Sequence, residues 1–365
     1  MPNFIPISQP SITEKEIAYV TDAIQSGWVS SLGRYIDLFE TKFSQYCGTQ
    51  YALTTSNGTT ALHLALVSLG IKAGDEVIIP DLTFIATANA VKYTGATVVL
   101  VDIEETTLCI NPKAIESAIT KKTKAIIPVH LYGHPANMLE INELAKQYNL
   151  FVIEDAAEAH GAEINGKKVG GFGDCAIFSF YGNKIMTSGE GGMITTNNKA
   201  LYEKMKYLRD HAMSQEKRYW HTEIGFNYRM TNLQAALGLA QLERIDDLIN
   251  KKTEIFAWYN KALVNITKLQ LNRTVDWAKN IYWMICIEIE GYDEVKRNLL
   301  MKKLKEKGID SRPYFYPISD MPMYKKEKTP ITHHIYQKGI YLPSYIGLTE
   351  KEVQSICHAL VEIIT

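Results

Sequence analysis

What this 365-residue chain lacks removes whole classes of function. Its five cysteines (Cys47, Cys109, Cys175, Cys286 and Cys357) include no CxxC pair, and their odd number and wide scatter match neither a disulfide framework nor a zinc site. They read as reduced, mostly buried thiols of a cytoplasmic protein, and no metal is expected. No sign of charge dominates: 39 basic residues face 40 acidic ones, a formal net charge of −1. Nothing therefore draws the whole molecule toward nucleic acid or an anionic membrane. The most apolar helical stretch, Ala61 to Ile71, is far too short to cross a bilayer. Met1-Pro2-Asn3-Phe4-Ile5-Pro6 lacks a basic region followed by a long apolar run, so no signal peptide is expected. Internal repeats and low-complexity tracts are also missing.

What is present suits a globular enzyme. Hydrophobic residues make up 46% and charged residues 22%, enough for a substantial core. The length suits a large domain (1–245) followed by a smaller one (246–365). From Tyr51 onward, short apolar runs alternate with longer helical patterns. Strands are expected at Tyr51 to Thr55, Glu76 to Pro80, Thr97 to Val101, Lys124 to His130, Leu150 to Ile153 and Gly192 to Thr196. Helices are expected between them, over Thr59 to Leu69, Ile85 to Tyr93, Pro112 to Thr120, Met138 to Tyr148 and Leu201 to Arg209. This alternation argues for an α/β fold with a parallel or mixed sheet covered on both faces. One long amphipathic helix is expected over Asn232 to Leu248. A smaller α/β unit follows, with a strand at Ile281 to Ile287 and a helix over Glu294 to Lys307 that stops at Gly308.

The residues that carry chemistry cluster after strand ends. Val152-Ile153-Glu154-Asp155 closes a strand with an acid, and a later loop of small and aromatic residues, Phe178-Ser179-Phe180-Tyr181-Gly182-Asn183-Lys184, presents a lysine. A pyridoxal phosphate (PLP) enzyme needs this pair. The lysine amine forms a Schiff base with the cofactor aldehyde, and the acid keeps the pyridine nitrogen protonated. Ligands of open α/β sheets bind beyond the carboxyl ends of strands, where Asp155 sits; capping the next helix is its plain alternative. Glu158 lies within reach of the same place, for a phenolic oxygen or a substrate, unless it is simply solvated. Ser56-Asn57-Gly58-Thr59-Thr60 joins a strand to a helix, so Gly58 and Thr59 offer backbone N–H groups to an anion such as a phosphate. Ser179 could add a hydroxyl. Phe84, just past another strand, could stack on a planar ring or simply belong to the core. Arg218 to His221 and Gly225 to Asn232 are dense in aromatic and donor groups, as fits a ligand contact, a subunit contact or a packed loop.

Together these segments resemble the sugar-nucleotide aminotransferases, a family of fold-type-I PLP enzymes. The matching stretches run from about Pro10 to Ser344. They include Trp28-Val29-Ser30-Ser31-Leu32-Gly33, Asp155-Ala156-Ala157-Glu158-Ala159-His160-Gly161, Gly189-Glu190-Gly191-Gly192, Gly225 to Asn232, Arg312-Pro313-Tyr314-Phe315-Tyr316-Pro317 and Leu342-Pro343-Ser344. The resemblance implies a large mixed-sheet domain, a smaller C-terminal α/β domain, and a homodimer with shared active sites. It implies that Lys184 binds the cofactor and shuttles protons, that Asp155 pairs with the pyridine nitrogen, and that Phe84 stacks on the ring. Gly58, Thr59 and Ser179 would hold the phosphate, with Asn227 reaching the neighbouring subunit's cofactor. Trp28, Ser31, Arg229 and Tyr316 would contact substrate. Many relatives carry glutamine or histidine where this chain has Glu158. With Tyr219-Trp220-His221 and His130-Leu131-Tyr132-Gly133-His134-Pro135, that glutamate is most like the branch that moves an amino group from L-glutamate to C4 of GDP-4-keto-6-deoxymannose. Relatives that act on dTDP- or UDP-linked 4-keto-6-deoxyglucose share most of these motifs. The dehydratase branch carries histidine in place of the lysine, so Lys184 argues against it. A non-catalytic regulator of this fold often loses the lysine or the acid, and this chain keeps both.

Overall fold

The computed structural model describes residues 4–364; the expectation drawn from Met1 to Pro6 falls partly on residues 1–3, which lie outside the described residues. The first strands in the chain are β1 (Tyr51–Thr55), β2 (Glu76–Pro80), β3 (Thr97–Val101), β4 (Thr123–Ile126) and β5 (Phe151–Asp155). A short hairpin follows, β6 (Glu163–Ile164) and β7 (Lys167–Lys168), and then β8 (Cys175–Ser179) and β9 (Gly192–Thr196). Seven of these form one sheet in the order β1-β9-β8-β5-β4-β2-β3. Neighbours from β8 to β3 run parallel, whereas β9 is antiparallel to both β8 and β1. The sheet is therefore mixed through one reversed strand.

Pleating divides each strand between two cores. Ile78, Ile126, Val152 and Phe178 point into one, with Phe39, Phe43 and Leu239. Val77, Ile79, Ile153, Ile177 and Ile194 point into the other, with Leu62, Leu66 and Met205. Helices cover both faces, so strand residues are apolar in unbroken runs.

The remaining strands are β10 (Leu269–Leu271), β11 (Ala278–Lys279), β12 (Ile285–Ile289), β13 (Arg312–Pro313) and β14 (Gly339–Leu342). Four make an antiparallel sheet in the order β10-β12-β14-β13, while β11 crosses back to pair with β6. Helices Ile245–Leu263 and Glu350–Ile364 pack on each other, and the core they share with the second sheet includes Tyr259, Ile287 and Leu360. The N-terminal segment also fastens here: Ile5 bridges Ile309, and the Ser344 N–H donates to the Ile7 carbonyl at 3.1 Å.

Three expectations change. The helix expected over Asn232 to Leu248 is two helices, Asn232–Leu242 and Ile245–Leu263, broken at Arg244 (φ −127°, ψ 18°). The break brings the Arg244 guanidinium onto Glu16 at 3.1 Å and the Ser11 carbonyl at 3.3 Å. The strand expected to run from Lys124 to His130 stops at Ile126 because Pro128 has no N–H for the ladder. The chain still follows β5, with the Asp155 N–H donating to the Pro128 carbonyl at 2.9 Å. The strand expected from Ile281 begins only at Ile285, because Tyr282 takes a left-handed turn (φ 48°) just before Trp283.

Phe43 is fully buried, with ring centroids of Phe39, Phe178 and Phe180 at 5.9, 4.9 and 5.5 Å. Phe43→Ala should cost about 3–5 kcal/mol in denaturant unfolding. A loss below about 1 kcal/mol would mean that this aromatic cluster does not anchor the helix Arg34–Cys47 to the sheet.

Candidate active site

Asp155 is the last residue of β5, at the carboxyl edge of the parallel strands. Its carboxylate is buried and accepts from the Thr87 hydroxyl at 2.8 Å and the Ala157 N–H at 3.2 Å. Among the described residues no ion-pair partner reaches it. Burial pushes its pKa above the ordinary carboxylate value, and those two donors and the charge of Lys184 offset only part of the rise.

Lys184 sits on the irregular connection between β8 and β9, where its N–H closes a turn onto the Tyr181 carbonyl at 2.9 Å. Its Nζ lies 3.5 Å from Glu158 Oε1 and 4.0 Å from the centroid of the Trp283 ring. An ammonium over an indole face gains from the ring quadrupole while losing part of its water. Trp283 is itself held, its Nε1–H donating to the Asn183 carbonyl at 2.9 Å. Glu158 is 4% exposed, and its second oxygen accepts from the Tyr132 N–H at 2.9 Å. Burial pushes Glu158 up to about 6, a rise that Lys184 and the Tyr132 N–H only partly oppose.

Tyr132 is a hub. It is a buried tyrosine in left-handed backbone (φ 54°), a conformation that costs free energy away from glycine and gathers at functional sites. Its hydroxyl accepts from the Phe315 N–H at 3.0 Å, and the Phe315 ring stacks on it at 5.4 Å. Phe84 is more than half exposed and meets Phe315 at 5.8 Å. Phe84 is thus at the mouth and not in the core.

The turn after β1 forms a cradle. Asn57 caps the helix Gly58–Ser68, accepting from the Thr60 N–H at 2.9 Å. The first N–H groups of a helix, here those of Gly58 and Thr59, have no partner within it. A Cβ on Gly58 would lie 3.0 Å from the Ser179 Cβ, so the two turns touch. The residues present fit PLP. There is a phosphate-sized cluster of N–H and hydroxyl donors, a buried carboxylate without a cation, and an amine between a carboxylate and an aromatic face. Among the described residues no group of His, Cys, Asp and Glu is placed to hold a metal ion.

Asp155, Glu158 and Lys184 come together, and Gly58, Thr59 and Ser179 form the adjoining cradle. The other expected residues stand apart. Asn227 is exposed and accepts from Arg229 Nε at 3.1 Å, while Arg229 pairs with Asp210 at 2.9 Å. Their segment does reach the cradle, since the Tyr228 carbonyl accepts from the Ser56 N–H at 2.8 Å. Trp28 is exposed and Ser31 half-buried; Asn232 holds their loop, donating to the Trp28 carbonyl at 2.7 Å. The Tyr316 hydroxyl accepts from the buried Arg297 at 3.3 Å. The structure adds Thr87 and Trp283, which no local motif marks, and gives roles to Tyr132 and Phe315, which lie in matching stretches but were assigned none.

Glu158 binds its proton more firmly when folded than when unfolded. Its contribution to stability therefore falls as pH rises from the ordinary value of 4.5 through about 6, by on the order of 2 kcal/mol. In the cofactor-free protein Glu158→Gln removes this dependence. Wild-type stability relative to the variant should drop by that amount between about pH 4 and about pH 7 in urea unfolding. Parallel curves for the two proteins would contradict it.

Comparisons with known proteins agree with this geometry. Residues 10–361 match the DegT/DnrJ/EryC1/StrS aminotransferase family. The chain is 50% identical to a GDP-perosamine synthase of Escherichia coli O157:H7 over 98% of both chains. It is 46% identical to a GDP-perosamine synthase of Caulobacter vibrioides, over 99% of this chain and 98% of the relative. A Streptococcus pneumoniae protein solved in its PLP form superposes with a TM-score of 0.93 at 28% identity, covering 99% of this chain and all (100%) of that one. The chain belongs to the DegT/DnrJ/EryC1/StrS aminotransferase family.

Proposed function

We propose that this protein is a PLP-dependent aminotransferase that transfers an amino group from L-glutamate to C4 of a nucleotide-linked 4-keto-6-deoxy sugar, converting GDP-4-keto-6-deoxymannose to GDP-perosamine. The observation that carries the reading is the placement of Lys184 Nζ beside the Glu158 carboxylate and the Trp283 face, in the cleft that Asp155 closes. The near-full-length identity to two GDP-perosamine synthases supports the choice of sugar.

When bound, PLP supplies an aldehyde for amine exchange and a ring that takes up electron density from the carbon losing its proton. Gly58, Thr59 and Ser179 hold the phosphate with N–H and hydroxyl donors, and Asn227 of the partner subunit completes the set in a homodimer. Phe84 would pack on the cofactor's ring. Asp155 would hold a proton at its ring nitrogen, since a buried carboxylate without another cation matches that charge. Lys184 would hold and release the proton that leaves the glutamate Cα. Glu158 holds that amine in place. Trp28, Ser31, Arg229 and Tyr316 contact the substrates.

The first test is exchange with L-glutamate, read as bleaching of the cofactor's visible absorbance and release of 2-oxoglutarate. GDP-4-keto-6-deoxymannose, dTDP-4-keto-6-deoxyglucose and UDP-4-keto-6-deoxyglucose follow in parallel, with products weighed by mass spectrometry. An aminated product from the GDP sugar is expected. A product from a glucose-configured sugar alone would move the substrate to that class, and no response to glutamate would remove the enzyme reading.

Two substitutions test the residue roles. Asp155→Asn should still bind the cofactor yet slow turnover by about 100-fold or more. Lys184→Ala should abolish turnover and the covalent retention of PLP after borohydride reduction. Retention in that variant would place the bond on another lysine.

A further inference from the structure

Asp81 is a fully buried carboxylate that neither the cradle nor the Lys184 cluster uses. It lies one residue past β2 and three residues before Phe84. Its Oδ1 accepts from the Ser319 N–H at 2.7 Å, and its Oδ2 accepts from the Ser319 hydroxyl at 2.7 Å and the Thr329 hydroxyl at 2.5 Å. Its backbone carbonyl accepts from the Ile318 N–H at 3.0 Å. One carboxylate thus ties down both ends of residues 319–329. Bonds to a charged acceptor are the stronger kind, and closing a loop at its two ends removes much of its freedom. Two smaller ties follow the same segment. Asp102, just past β3, accepts from the Ile331 and Thr332 N–H groups at 2.9 and 2.8 Å. The Tyr324 hydroxyl donates to Asn89 at 2.7 Å.

The staple fixes more than a surface loop. By holding Ile318 and Ser319 next to the start of the Asp81–Phe84 turn, it sets Phe315 against Phe84 at 5.8 Å and against Tyr132 at 5.4 Å. Those rings wall the mouth of the cleft that holds Lys184. The stapled loop itself displays Lys325, Lys326 and Lys328 in exposed positions; Lys325 pairs with Glu327 at 3.1 Å, and the remaining positive charge has the sign that suits a nucleotide diphosphate. The helix that follows this turn, Ala86–Tyr93, reaches the cofactor acid through Thr87, which donates to Asp155.

We infer that Asp81 is a positioning residue for the nucleotide-sugar half of the reaction: it holds residues 315–329 as the wall on which the sugar nucleotide seats, while the glutamate half proceeds without it. This rests on the aminotransferase reading above. The partition follows from the geometry, because Asp81 bonds to the mouth segment and not to Lys184, Glu158 or Asp155.

The test compares the two half-reactions in holoenzyme. Asp81→Ala should raise the KM for the ketosugar nucleotide roughly tenfold, with the rate of the glutamate half-reaction within about twofold of wild type. Asp81→Asn keeps an acceptor for the Ser319 N–H and can donate to Thr329, so it should recover most of the affinity. Trypsin should cut at Lys325 to Lys328 faster in the alanine variant. If Asp81→Ala does not fold, Thr329→Val removes a single donor and should raise that KM about threefold with the same partition. Equal losses in both half-reactions, or an unchanged KM in a variant that trypsin opens, would overturn the inference. The ratio of variant to wild type is read with whichever ketosugar nucleotide the wild type accepts. A wrong choice of sugar is thereby seen in the wild type alone, and a wild type that accepts none would overturn both readings.

Discussion

The cleft is referenced to the pleat of a single strand. Adjacent residues of β5 must face opposite sides of the sheet, and its last two are acids, Glu154 and Asp155. Both are buried, and their surroundings make them opposites. Burial works against ionisation of Glu154, but donation from His130 and from the backbone of Gly170, Phe172 and Gly173 outweighs it and holds the group below its ordinary value. Asp155 has two donors, Thr87 and the Ala157 N–H, with the charge of Lys184 nearby, and burial still prevails. Glu154 belongs to the framework and Asp155 remains open to a cationic ligand.

The framework acid also places the hub. His130 Nδ1 accepts from the Ala136 N–H at 3.0 Å, so its Nε2 carries the hydrogen that faces Glu154, and a neutral imidazole satisfies both contacts. This fixes the chain on both sides of Tyr132, whose N–H turns toward Glu158. A tyrosine in a left-handed turn and a carboxylate with a raised pKa thus meet beside one strand end, next to an amine over an indole. The aromatic wall follows, with Tyr132, Phe315 and Trp283 arriving from three distant parts of the chain.

Much of this was legible in the sequence. Strands β1, β2, β3 and β9 fall where their apolar runs predict, because each is bounded by turn residues and covered on both faces. Asp155, Glu158 and Lys184 were legible because strand-end acids and small-residue loops carry a mechanism. The truncation of β4 could also have been read from Pro128. Other features leave no local trace. The break at Arg244 interrupts a helical period with neither glycine nor proline, and only contacts to Glu16 and Ser11, over two hundred residues away, account for it. Tyr132 and Tyr282 are left-handed without being glycine, so composition hides both turns. Trp283 reaches the site through the fold and through no spacing, and Phe315, though inside a matching stretch, gains its place against Tyr132 only through the fold. The helices Glu14–Gln25, Arg34–Cys47 and Glu350–Ile364 went unassigned, as amphipathic segments outside the alternating βα pattern.

The order of the large sheet has a consequence for how the protein comes into being. β1 is the first of its strands to be made, yet its ladder partner is β9, with Tyr51 facing Thr196. On a ribosome adding about 5–20 residues per second, β1 waits roughly seven to thirty seconds before that partner emerges. The phosphate cradle at Gly58 waits with it, since Ser179 lies on the strand beside β9. The N-terminal segment waits longer still, because Ile5 finds its bridge only at Ile309. An apolar strand that must stay unpaired for that interval is a natural client for a chaperone. The step that closes the sheet, and with it the cradle, therefore falls about midway through synthesis and not at its start.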